Sequence, residues 1–184
     1  MSEKENTDIV EQKTIRQEIN DIIFHLQDAI PDINRMDKIG NILGASRVNT
    51  ILRTAKNVMI PALEEKLNVM VDEIKKDGDI YFTPPEYIES ENTTEEKTFK
   101  QELNHLISIL THASIDAHAF DMEGSGSSLV RIKHALHELK SVLIPPMSKR
   151  VIEFKKATKA RNHNVSPASL KNLKPPVKKE HDIE

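Results

Sequence analysis

Three features of this sequence predict an all-α fold made of two copies of one helical hairpin. Residues 13–76 lie on residues 97–160 at a constant offset of 84 without a gap, and 18 of those 64 pairs are identical, against about four for chance composition. The apolar residues of each copy recur at helical rather than alternating spacing. Only 4% of the residues are aromatic, Trp is absent and there are five Gly, which suits a core of aliphatic helix formers better than a sheet. Identities include Thr14/Thr98, Gln17/Gln101, Glu18/Glu102, Asp32/Asp116, Gly40/Gly124, Arg47/Arg131 and Lys56/Lys140. They also include the Val-x-Ile-Pro of Val58–Pro61 and Val142–Pro145. An offset that persists through the connections marks duplication of a whole supersecondary unit.

Residues 1–12 are polar, lack the apolar centre of a signal peptide and are expected to be disordered. The first helix of repeat 1 (residues 13–76) carries Ile15, Ile19, Ile22, Ile23, Leu26 and Ala29 on one stripe, and Pro31 is expected to close it. Its second helix carries Val48, Ile51, Leu52, Ala55, Val58, Met59, Leu63, Leu67, Met70, Val71 and Ile74. That stripe keeps its phase through Pro61, which predicts one long helix kinked there rather than two helices. Residues 77–96 form a linker that holds Tyr81, Phe82 and Tyr87 and is expected to pack partly on the body. Repeat 2 (residues 97–160) repeats the first stripe with Phe99, Leu103, Leu106, Ile107, Leu110 and Ala113. Ile115 stands where Pro31 does, so this helix is expected to run about a turn further. Its long helix is expected to kink at Pro145, with Ile132, Ala135, Leu136, Leu139, Val142, Leu143, Met147, Val151 and Phe154 on the stripe. Residues 161–184, rich in Asn, Ser, Pro and Lys, read as a disordered basic tail. Two hairpins with one apolar face each would close into a pseudo-two-fold four-helix bundle with a coiled-coil-like seam, or pair between chains as a homo-oligomer.

The chemistry on this scaffold is sparse. With no Cys, disulfides, thiolate metal sites and cysteine nucleophiles are excluded. No Gly-x-Ser-x-Gly motif or outstanding carboxylate pair is present, so no enzymatic activity and no cofactor are expected. His112, Asp116, His118, Asp121 and Glu123 gather in repeat 2, followed by His134 and His137, but repeat 1 does not keep nitrogen ligands at the matching positions. The cluster is read as a polar loop without metal. Gly124–Ser128 lacks the Gly-Lys-Ser/Thr of a phosphate loop and reads as an interhelical connection. Arg47, Lys56, Arg131 and Lys140 recur in matched pairs nine residues apart, are read as lying near one face, and are the candidate anion-binding residues at the pseudo-axis. The competing assignment pairs them with Glu18/Glu102 or Asp32/Asp116. Pro84, Pro85 and Tyr87 form a Pro-Pro-x-Tyr candidate peptide motif, and Ser166-Pro167 is a candidate phosphorylation site.

Charge divides along the chain. Residues 155–184 carry eight Lys/Arg against three acids, which leaves −8 on the rest of a chain whose net charge is −3. The tail suits nonspecific contact with nucleic acid phosphates but lacks the interleaved aromatics that stack on bases. No run approaches the ~18 apolar residues of a membrane span. The expectation is a cytoplasmic protein, or a nuclear one in a eukaryote, without membrane contact. Its expected role is a non-catalytic protein–protein interaction module that acts as regulator, adaptor or assembly factor. The alternatives are a nucleic-acid-associated protein held by its tail and a small-anion binder at the pseudo-axis.

Overall fold

Both repeats start with the same cap. In the computed structural model, which describes residues 13–77 and 97–164, the Thr14 hydroxyl accepts from the Gln17 amide at 3.2 Å and the Gln17 side chain accepts from the Thr14 amide at 2.8 Å. Thr98 and Gln101 repeat this box at the same two distances. Each box satisfies two orphan donors at a helix start. Thr14→Ala should cost about 1 kcal/mol, read as a lower urea midpoint at unchanged slope.

From these caps run α1 (Ile15–Gln27) and α5 (Phe99–Glu123). The two copies then diverge. After the tight Asp28-Ala29 turn, α2 (Ile30–Ile39) begins with Pro31 in its first turn, where a missing amide hydrogen leaves no gap. Pro31 therefore opens a helix rather than closing one. In the second copy Ile115 is simply interior to α5, which carries on to Glu123. The polar group His112 to Glu123, expected as a loop, is helical for that reason. Gly40 (φ 65°) and Gly124 (φ 66°) end α2 and α5 in the left-handed conformation that glycine adopts most readily.

The long helical runs follow. The first comprises α3 (Ile42–Thr54), a π-helical turn at Ala55–Met59 and α4 (Ile60–Asp77). The second comprises α6 (Gly126–Glu138), a π-turn at Leu139–Leu143 and α7 (Ile144–Asn164). Helical backbone continues through Pro61 and Pro145 without a break. The two π-turns lie 84 residues apart, and each closes with an amide reaching five residues back, Ile60 to Ala55 and Ile144 to Leu139.

Core spacing explains these turns. Buried apolar core positions on the first run are Ala45, Val48, Leu52, Ala55, Ile60, Leu63, Leu67 and Val71, and on the second Leu129, Ile132, Ala135, Leu136, Leu139, Ile144, Met147 and Val151. Steps of three and four are helical, but Ala55 to Ile60 and Leu139 to Ile144 are steps of five. In a regular α-helix five residues overshoot a full turn by about 140° and would swing the second isoleucine out of the core. A π-turn absorbs the extra residue and brings it back. Val58 and Val142, assigned to the stripe by 3.6-residue periodicity, are instead 61% and 58% exposed, while Ile60 and Ile144 are fully buried.

Among the described residues the structure is all helical and has no strand. The α1 helix lies antiparallel on α5, where Ser114 donates to the Asn20 side chain at 3.0 Å and Arg16 approaches His118 at 3.4 Å. The long runs are also antiparallel, with α3 on α7, α4 on α6 and the π-turns in contact where the runs meet. Buried residues of both repeats belong to one apolar cluster. No helix among the described residues is long and apolar enough to cross a membrane.

Candidate functional site

A cross-helix ion pair fastens each first helix to the far half of its own long run. Lys66 on α4 donates to Glu18 at 2.8 Å and to the Lys13 carbonyl. Arg150 on α7 donates to Glu102 at 2.6 Å and to the Lys97 carbonyl at 2.8 Å. Each partner in the second set stands 84 residues after its counterpart in the first. Around this shared clasp the two halves differ in filling. In the second, the Phe99 and Phe154 rings meet edge to face with centroids 5.8 Å apart, and the Arg150 guanidinium lies 5.0 Å from the centre of the Phe99 ring. In the first, Ile15 and Met70 replace the two rings and Lys66 replaces the arginine. A groove of about 670 Å³ opens there, with Ile15, Ala62, Val69 and Met70 in its lining and Glu65, Glu73 and Asp121 contributing carboxylates. Val69 is 56% exposed.

A second depression, about 380 Å³, lies between the π-turns and is lined by Lys56, Asn57 and Pro61 from one run and Lys140, Ser141 and Pro145 from the other. Lys140 is ion-paired with Glu64 on α4. The residue 84 positions after Glu64 is Ser148, which offers Lys56 no carboxylate.

The four basic residues therefore do not share one site. Nine residues at 100° each amount to half a turn, so Arg47 and Lys56 point to opposite sides of their helix, and the single-face expectation is wrong. Arg131 is held by Asp116 Oδ1 through Nε at 2.8 Å and Nη2 at 2.6 Å, and it also donates to Ser128 at 3.1 Å. The Asp116 hydrogen bond raises the Arg131 pKa above its ordinary value, against an opposing pull from desolvation and with further help from the Asp116 charge. Arg47 instead lines a separate depression with Asp28 and Asp32. There Asp32 meets Arg35 at 3.9 Å, a residue that repeat 2 replaces with Ala119.

Among the described residues no group of three or more His, Asp or Glu side chains is placed to hold a metal. The nearby polar side chains have other partners, since Asp116 serves Arg131 and His118 meets Arg16. The Pro84, Pro85 and Tyr87 motif, Ser166-Pro167 and the basic tail from residue 165 onward lie outside the described residues. Sequence reasoning missed the α1–α4 groove. Its signal was the exchange of Phe99 and Phe154 for Ile15 and Met70 at otherwise matched positions.

No family model, curated protein or solved structure matches this chain.

Proposed function

We propose that the chain is a non-catalytic interaction module, a pseudo-two-fold bundle of two duplicated hairpins that docks a segment of a protein partner in the α1–α4 groove. The observation that carries this reading is the unequal filling of two matched positions. Where repeat 2 closes the space with two phenylalanines and an arginine, repeat 1 leaves a groove of about 670 Å³ with Ile15, Ala62, Val69 and Met70 as its apolar lining and Lys13, Glu18 and Lys66 of the same ion-pair clasp in its wall. The fill seen in repeat 2 suggests an aromatic ring as occupant. Charge narrows it further. Glu18 is taken by Lys66, and Lys13 by Asp21 at 2.6 Å, whereas Glu65, Glu73 and Asp121 have no ion pair among the described residues. A partner segment with an aromatic side chain next to Lys or Arg satisfies both floor and rim.

Filling the groove from within tests this. Ile15→Phe with Met70→Phe rebuilds the ring pair of repeat 2. The capped tripeptide Lys-Phe-Lys should perturb the methyl resonances of Ala62, Val69 and Met70 in the wild type, and Lys-Ala-Lys should not. The double variant should lose the response at Ala62 and Val69 by at least tenfold in apparent affinity. Equal responses to both peptides, or an unchanged response in the variant, would remove the groove as a docking site.

A further inference from the structure

We infer that the depression between the π-turns is an oxyanion site whose working charge is Lys56. Every polar side chain lining it can donate: the Lys56 and Lys140 ammonium groups, the Asn57 amide and the Ser141 hydroxyl. No carboxylate of the described residues lines it. Pro61 and Pro145 supply the remaining wall, and neither has a backbone N–H. The carbonyls four residues before them lose a helical donor but are acceptors, so the anion must be held by side chains alone.

The two lysines are not equivalent, and the difference decides the net charge. Glu64 neutralises Lys140. Lys56 occupies the matching place in the other run, but Ser148 stands where its carboxylate would be, and it forms no ion pair among the described residues. Both lysines are partly buried. A partly desolvated ammonium without a counter-ion gains more from an anion than a fully solvated one does. The site thus carries one uncompensated positive charge, one compensated lysine held ready, and two neutral donors. That set fits a phosphate-type oxyanion, either free or carried on a phosphorylated side chain. The π-turns place it, because each packs an extra residue into its turn and presents Lys56-Asn57 and Lys140-Ser141 at the junction of the runs. This site is independent of the α1–α4 groove, and neither reading depends on the other.

Three variants of the full chain test the assignment, with inorganic phosphate and N-acetylphosphoserine amide as probes at constant ionic strength. Wild type should respond saturably in the backbone amides of residues 56–57 and 140–141. Lys56→Gln should weaken the response at least tenfold. Ser148→Glu, which leaves every lining residue in place, should weaken it similarly by giving Lys56 the carboxylate that Lys140 already has. Glu64→Gln should strengthen it several-fold by releasing Lys140. A tighter response to acetylphosphoserine amide assigns the site to a phosphorylated partner, and an equal one assigns it to free phosphate. A wild type that responds to neither probe, or the same affinity in wild type, Lys56→Gln and Ser148→Glu, would overturn the proposal.

Discussion

Ile60→Ala and Ile144→Ala should each destabilise the fold by about 2–5 kcal/mol, the usual range for truncating a buried isoleucine. Val58→Ala and Val142→Ala should change stability by less than about 0.5 kcal/mol. Ile60 and Ile144 are fully buried, whereas the two valines are more than half exposed, although all four lie in the same repeated tetrapeptide. The isoleucine double variant should lose about 4–10 kcal/mol, a large share of the roughly 5–15 kcal/mol of an ordinary domain, whereas the valine double variant should lose no more than about 1 kcal/mol. Urea denaturation followed by circular dichroism reads all four. Equal losses at valine and isoleucine would mean that the helices keep regular α-helical phase and that the π-turns are not the register of the protein in solution.

That contrast shows where the sequence could be read and where it could not. The first-helix stripe from Ile15 to Leu26 follows from a 3.6-residue period, whereas the capping boxes at Thr14 and Thr98 were signalled by the matched Thr14/Thr98 and Gln17/Gln101 pairs and went unread. Ile60 escaped because Val58 and Met59 already satisfied that period, and a template without a five-residue step cannot admit the isoleucine. Its identity with Ile144 was the available signal. The helical character of residues 112–123 escaped because polar composition outweighed a plainer fact, that no Gly or Pro interrupts the chain from Lys97 to Glu123. The candidate sites were legible only as differences between the copies. Ile15 for Phe99, Met70 for Phe154 and Ser148 for Glu64 are each unremarkable alone. Each becomes informative once the partner position shows what fills or neutralises the same space. The four basic residues looked equivalent because the repeat preserves their identity, whereas their partners differ: Asp116 for Arg131, Glu64 for Lys140 and no ion pair for Lys56 among the described residues.

Replacing Pro61 and Pro145 by Ala separates two causes of the π-turns, and the expected result is a more stable protein with the same register. An interior proline costs a helix about 3 kcal/mol relative to Ala, chiefly through the lost amide and the clash with the carbonyl four residues back. If the prolines produced the π-turns, removing them would let each run relax to regular α-helix. Val58 and Val142 would then rotate inward and Ile60 and Ile144 outward. The packing opposes this. The five-residue step is written into which side chains are apolar, and burying isoleucine is worth about 1.5–3 kcal/mol at each position. The core should therefore hold the π-turns in place without the prolines, and the restored amides should add about 1–2 kcal/mol per site. That is less than the full helix-propensity difference, because proline also restricts the unfolded chain. The absence of native cysteine gives a clean readout. In the double-alanine background, a cysteine introduced by Val58→Cys should react with a maleimide as fast as in wild type, and one introduced by Ile60→Cys should stay protected. A rise in melting temperature with that labelling pattern would assign the π-turns to core spacing, with the prolines seated where a turn already spared one donor. Reversed labelling, or a lower melting temperature, would show that the prolines themselves hold the register on which both candidate sites depend.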